Sequence, residues 1–220
     1  MRETGGKNER SSVLFLESAM TIVDLKFPVI GKKIPSDHGY LLYSAISNLL
    51  PEVHNLEDIS IRGISGVPDR SRGLNLGPAS ALNIRIDHSH IPVFLKLAGK
   101  ELKIGDDKVR LKIPITKLLK PRSVLYSRLV TIKGFLNPMD FLDAVRRQLK
   151  AMGIEKETLL FSTGSSVNPV RKTLRIHDKE IVGFPLVIPN LEPEESILIQ
   201  TKGIGGRRKM GCGCFVGIQI

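Results

Sequence analysis

Hydrophobic positions along the chain fall into short β-prone runs and two stretches with helical spacing. Thr21–Phe27 (TIVDLKF) predicts a strand, broken by Pro28 and Gly31. Ser36 and Asp37 offer N-cap chemistry, and a helix is expected over about 37–50, with Leu42, Ala45, Ile46 and Leu49 on its buried face and Pro51 as its stop. Asp58–Gly63 and Ala81–Asp87 predict further strands, separated by a Gly/Pro/Arg/Ser-rich loop, Ser65–Leu76, that contains Arg70 and Arg72. Ile91–Leu97 is apolar and fits either a helix or a strand. Leu102–Ile104 and Val109–Ile113 flank Gly105–Asp107 as a hairpin.

After a basic connector, Lys117–Ser123, the order recurs. Leu125–Lys133 predicts a strand. Asn137 then caps a helix that starts on Pro138, carries the stripe Phe141, Leu142, Val145, Leu149 and Met152, and ends at Gly153. Arg146, Arg147 and Lys150 lie near its C-terminal end, where the helix dipole favours cations. Val170–Ile176 and Glu180–Pro189 form a hairpin, Pro193–Ser196 starts a short element, and a glycine-rich loop, Lys202–Gly213, leads into a last strand, Cys214–Ile220. Two strand–helix–strand–strand units in tandem predict an α+β protein of two ferredoxin-like (βαββαβ, RRM-like) domains. The boundaries expected are a flexible tail at 1–20, a first domain at 21–120 and a second at 121–220 carrying the glycine-rich loop.

Composition narrows the partner. The 220 residues include 33 Lys+Arg against 22 Asp+Glu, a formal net charge of +11, which favours a polyanion. Residues 1–110 hold fifteen basic against thirteen acidic side chains, and residues 111–220 hold eighteen against nine, so the excess lies in the second half. That asymmetry reads as a footprint rather than a general solubility feature. Aromatic content is 5% with no Trp, which disfavours a sheet that reads RNA by stacking several bases; phosphate and shape contacts should dominate. No apolar run is long enough to span a membrane, and Val13–Leu16 is too short and its surroundings too acidic for a signal peptide. Two cysteines make no disulfide framework, so a reducing, cytoplasmic setting is expected.

The glycine-rich loop is the most unusual segment. Gly203, Gly205, Gly206, Gly211 and Gly213 would let the backbone approach a ligand with exposed N–H groups, and Arg207, Arg208 and Lys209 add charge, so phosphate contact is expected. It is neither a P-loop, because Cys212–Gly213 stands where Lys–Ser/Thr belongs, nor a dinucleotide fingerprint, because a strand follows it. Cys212 and Cys214 lack partners for a zinc site and should be small buried residues. Lys202 at the loop's start, Arg128 and Lys133 on the preceding strand, and Arg171 and Lys172 on the hairpin complete the expected RNA grip. Among five histidines only His38 has an informative setting, at the first turn of the first helix, where the dipole favours neutral imidazole. It also phases with Leu42, Ala45 and Leu49, so a buried structural role stays open. No carboxylate cluster suits a two-metal nuclease, and no cofactor or metal is expected.

The segments FPVIGKKIPSDHGYLLYSAISNLLPEVH (27–54), LVTIKGF (129–135) and GIGGRRKMGCGCF (203–215) resemble the CRISPR repeat-processing endoribonucleases, the Cas six family, and most closely their MYXAN-type branch. The resemblance spans about residues 21–220. It implies binding of a CRISPR repeat in precursor crRNA and metal-independent cleavage, leaving a 5′-hydroxyl and a 2′,3′-cyclic phosphate. It matches the family's catalytic His to His38, with Lys33 and Tyr40 as accompanying residues and Lys32 and Tyr43 close behind. No lysine lies on the helix at 37–50, which leaves the stabilising cation open. Other Cas proteins of an effector complex, a catalytically inert RNA-binding role, and a homodimer also stay open.

Overall fold

The computed structural model describes residues 22–161 and 169–218. The expected tail at 1–20, and the last two residues of the expected final strand, lie outside the described residues. In chain order the first half runs β1 (Ile22–Ile30), β2 (Lys33–Pro35), helix α1 (Gly39–Leu49), β3 (Ser60–Ile64), β4 (Val67–Pro68), β5 (Gly73–Asn75), β6 (Ala81–Asp87), helix α2 (Ile91–Leu95), β7 (Glu101–Ile104), β8 (Asp107–Leu111) and β9 (Ile115–Leu118). The second half runs β10 (Leu125–Val130), helix α3 (Pro138–Ala151), β11 (Leu159–Leu160), β12 (Lys172–Ile176), β13 (Lys179–Ile188), helix α4 (Pro193–Lys202) and β14 (Val216–Gly217).

The two halves share a strand order. In the first sheet the sequence is β3-β6-β1-β8-β7, and β9 also pairs with β1. In the second it is β11-β13-β10-β14, with β12 as a hairpin on β13. Each half places its opening strand between its third main strand and its last, antiparallel to both. Each buries its own apolar cluster. One gathers Phe27, Leu42, Ile46, Ile84 and Phe94; the other gathers Phe141, Val145, Phe184, Ile199 and Phe215.

The helices follow the sequence closely. Asn137 accepts a hydrogen bond from the Met139 N–H at 2.9 Å, Pro138 opens α3, and Gly153 takes a left-handed φ of 76° just past its end. Helix α1 stops before Pro51. Its start differs from expectation: no side chain caps it, because the Asp37 carboxylate turns away to accept the Arg175 N–H of β12. On its inner face Leu42 and Ile46 are buried, whereas Leu49 is exposed.

Four element expectations need correction. Pro28 does not break β1, because there its carbonyl accepts from Lys112 and its missing N–H is not called upon. The loop 65–76 holds β4 and β5, which join β2 in a separate three-stranded sheet. Residues 115–118, overlapping the expected connector, form β9, whose four side chains are all exposed; it is a strand by backbone pairing to β1, so it carries no alternation of burial. Pro193–Ser196 opens a full helix, α4, with a reciprocal Glu192–Glu195 capping box. The undecided segment 91–97 is helical over Ile91–Leu95, with Pro92 in its first turn.

One buried guanidinium ties the halves together. Arg85 of β6 is 1% exposed and grips Asp24 of β1 with two hydrogen bonds, of 2.8 and 3.0 Å. It also donates to the carbonyls of Gln200, at 2.7 Å, and Phe215, at 3.0 Å, in the second half. Arg62 adds a second cation to Asp24 at 3.1 Å. Removing one partner from such a cluster strands the other charge. Arg85→Ala is therefore expected to lower folding stability by about 3–5 kcal/mol, read from urea denaturation, with the two halves losing their common transition.

Candidate functional site

Three segments distant in sequence converge at the start of α1. Gly39, the first helical residue, lies so close to the Met210 carbonyl that an added Cβ would stand 2.3 Å from it. The glycine-rich loop thus docks on the helix end. Leu174 of β12, Leu129 of β10 and Cys212 of the loop form a small apolar cluster beneath this junction, with Tyr40 and Met210 against it.

His38 sits at this junction and is 6% exposed. Its Nδ1 lies 2.9 Å from the Pro35 carbonyl, which can only accept, and its Nε2 lies 2.9 Å from the Ile64 N–H, which can only donate. Both contacts are satisfied by one species: neutral imidazole with the proton on Nδ1 and a lone pair on Nε2. Burial lowers its pKa below the ordinary 6.5, the Pro35 contact opposes that, and the charge of Arg128 lowers it further.

The same residue lines a cleft of about 510 Å3 whose other walls carry Arg62, Tyr126, Arg128, Lys172 and Gly211. Strand alternation explains the delivery. On β10 Leu125, Ser127 and Leu129 are buried, which turns Tyr126 and Arg128 the other way. On β12 Lys172 borders this cleft, whereas Thr173 and Arg175 line a different one. Burial lowers the Lys172 pKa and Arg128 lowers it further; burial raises that of Tyr126. A neutral base, three cations and a hydroxyl around one cleft can move protons at a phosphodiester and stabilise its extra charge.

Comparison with known proteins fits this arrangement. A family profile described as Cas6 CRISPR matches residues 23–219. The CRISPR-associated endonuclease Cas6 of Myxococcus xanthus is 36% identical over 197 residues, covering 90% of this chain and 82% of that protein. The chain belongs to the Cas6 family. Solved structures share the fold at low identity. A Cas6-related protein from Pyrococcus furiosus superposes with a TM-score of 0.61 at 17% identity, covering 90% of this chain and 98% of that one. A protein described as a RAMP protein binding different RNA substrates gives 0.57 at 16%, covering 90% and 99%.

Within this Cas6 fold the residues singled out from sequence separate into groups. Arg128 and Lys172 stand with His38. Lys33 does not: it pairs with Asp69 at 2.7 Å and donates to Ser71 at 2.7 Å, holding the Asp69 carboxyl well below the usual carboxylate range. Tyr40 faces a neighbouring cleft, its hydroxyl 2.8 Å from His177 Nε2. Tyr43 reaches His54 at 2.8 Å. Lys133, Arg171 and Lys202 are exposed and outside the His38 cleft. Arg62 and Tyr126 were missed. Arg62 lay in a predicted strand with nothing local to set it apart, and Tyr126 required knowing that Ser127 points inward.

The glycine-rich loop is the main correction. Its amides are not displayed to a ligand: Gly203 donates to Ile199, Ile204 to Gly213, Gly206 to Thr131 and Gly213 to Leu129, while Gly205 donates to the Gln148 side chain. The glycines serve close packing. A Cβ on Gly203, Gly205 or Gly213 would meet a carbonyl oxygen at 2.4, 2.5 or 2.2 Å, and all three have positive φ. Two of the loop's three charges are also held internally. Arg208 donates to Ser60 and the Thr201 carbonyl, and Lys209 donates to the His54 carbonyl. Of these three, Arg207 alone has no side-chain hydrogen-bond or ion-pair partner among the described residues. Cys212 and Cys214 are buried as expected, and burial pushes the Cys212 thiol up to about 11. Gly213→Ala should lower the Tm by several degrees through displacement of the loop. Gly206→Ala, with nothing within 4 Å of its added Cβ, should leave Tm unchanged. Paired thermal melts check both.

Proposed function

We propose that this protein is an endoribonuclease that cuts CRISPR repeat RNA in a precursor transcript to release guide RNAs, without a metal ion. Its two halves are taken as ferredoxin-like domains, at 21–120 and 121–220; the shared strand order and separate apolar clusters support that division. Family membership supports the substrate class. The observation that carries the chemistry is the neutral Nδ1–H form of His38 beside Arg128 and Lys172 in one cleft.

The RNA supplies its own nucleophile. His38 Nε2 takes the proton of a 2′-hydroxyl, whose oxygen bonds to the adjacent phosphorus. The bond from phosphorus to the 5′-oxygen breaks, leaving a 2′,3′-cyclic phosphate. Lys172, more acidic than a free lysine through burial and the charge of Arg128, protonates the departing oxygen to a 5′-hydroxyl. Arg128 faces the extra charge on phosphorus, and Tyr126 donates a hydroxyl hydrogen bond. Lys33 and Tyr40, implied by resemblance, take no part in this set. The Arg207 guanidinium grips the RNA backbone, as do Lys133, Arg171 and Lys202 on the exposed surface.

One observation favours a second reading, an inert RNA-binding subunit: the lone pair that His38 would use is taken by the Ile64 N–H in this structure. As a base, His38 must exchange that contact for the 2′-hydroxyl.

The test is cleavage of a CRISPR repeat RNA by the purified protein, in EDTA. One cut per repeat is expected, and loss of cutting in EDTA would sink the metal-free route. A 2′-deoxy nucleotide at the scissile position should bind and resist cutting. Lys172→Ala should slow the chemical step by about 10²–10⁴ with binding retained. His38→Ala should abolish cutting with binding retained; an inert subunit would show no cutting in the parent protein either. The pH dependence follows from the lowered His38 pKa. The base stays available at neutral pH, so the single-turnover rate should rise with pH along a limb centred below 6.5. Folding stability should be fully present above 6.5 and fall at lower pH, because only the unfolded chain then readily takes the proton.

A further inference from the structure

A second cleft, of about 730 Å3, flanks the other side of the α1 start, and Ser36 borders both clefts. Its walls are unlike those of the first. Tyr40 of α1 and His177, at the tip of the β12–β13 hairpin, meet with ring centroids 4.8 Å apart and planes at 59°, so neither ring covers the other's face. The Tyr40 hydroxyl and His177 Nε2 are 2.8 Å apart. His177 is exposed and holds a left-handed φ of 51°. Arg72, also left-handed at φ 60°, brings a guanidinium with no partner among the described residues. Arg175 is balanced by Glu180 at 3.1 Å. Asp37 spends one carboxylate oxygen on the Arg175 N–H, and its other oxygen is buried without a hydrogen-bond partner.

A bare phosphate fits this lining poorly, because Asp37 and Glu180 would repel it. A membrane or an acidic peptide would leave the two rings without a role. One nucleotide of a single strand fits each part. The guanidinium of Arg72 takes its phosphate, the aromatic pair takes the face of its base, and the carboxylate of Asp37 takes an exocyclic amine. The geometry points to this cleft as a subsite for one unpaired nucleotide near the scissile phosphate, selecting a base with an amine edge (adenine, cytosine or guanine) over uracil. The inference rests on the RNA-cutting reading, since only a strand threaded through the His38 cleft would be carried past Ser36 into this one. Because the cleft joins α1 of one half to a hairpin of the other, the nucleotide would also clamp the halves in their working alignment.

The test uses the same repeat RNA, made uncleavable by a 2′-deoxy scissile nucleotide, with one abasic site moved stepwise along the flanking nucleotides. Fluorescence anisotropy reads Kd. At one position the abasic site should weaken binding to the parent protein about tenfold, and uracil there should bind more weakly than the other three bases. His177→Asn tolerates left-handed φ and removes the ring; with it the abasic penalty should shrink to under twofold. Tyr40→Phe keeps the ring without the hydroxyl and should keep the penalty, which separates base stacking from a mere Tyr–His latch. Arg72→Ala should flatten the dependence of log Kd on log salt by about one. An abasic penalty at every position that is as large in His177→Asn as in the parent overturns the subsite alone. Failure of the parent protein to bind or cut the repeat overturns the RNA-cutting reading with it.

Discussion

Everything at the candidate site depends on the alignment of two halves with separate cores, and the Arg85 guanidinium is the main polar bond between them. Its two hydrogen bonds to Asp24 and its bonds to the carbonyls of Gln200 and Phe215 use both sides of one planar fork. A guanidinium this deeply buried is costly unless every donor direction is met, and the geometry that meets them is narrow. The cluster therefore acts as a register pin. It sets β6 against the end of α4 and the chain leading to β14, and so fixes where β10 and β12 lie relative to α1.

From that alignment comes the meeting of His38 with Arg128 and Lys172. His38 belongs to the first half and both cations to the second, so neither half alone could assemble the cleft. The glycine-rich loop completes the junction. Its tight glycines let Met210 approach Gly39, and Arg208 crosses to Ser60 of β3. A segment that looks like an open phosphate cradle is a fastener, and it leaves the Arg207 guanidinium without a partner among the described residues. The β12 strand shows how one short element serves two clefts: alternate side chains, Lys172 and then Thr173 and Arg175, point to different ones.

On the proposed reading, His38 combines a structural and a chemical role. Its two hydrogen bonds tie Pro35, before the helix, to Ile64 at the end of β3, which is reason enough to bury a histidine. Those same bonds select one tautomer, while burial, opposed by the Pro35 contact, lowers the pKa and keeps the ring neutral. As the proposed base it would be oriented before substrate arrives, at the cost of one backbone contact to be exchanged.

By itself the sequence determined what local chemistry controls. The cap and proline of α3, the stop at Pro51, the β6 strand, the buried cysteines and the family resemblance carried by residues 27–54 and 203–215 were all legible, because each depends on neighbours within a few positions. Helical spacing already left His38 suspended between core and catalyst, and its bonds to Pro35 and Ile64 show why both readings arose. What only the tertiary structure decided was set by partners far along the chain. β9 is a strand because β1 pairs with it, Lys33 is diverted by Asp69, Tyr40 by His177, and the loop amides by Thr131 and Leu129. Hydrogen bonds and ion pairs are satisfied by whatever the fold brings within about 3 Å, and a local pattern of residues holds no record of that distance.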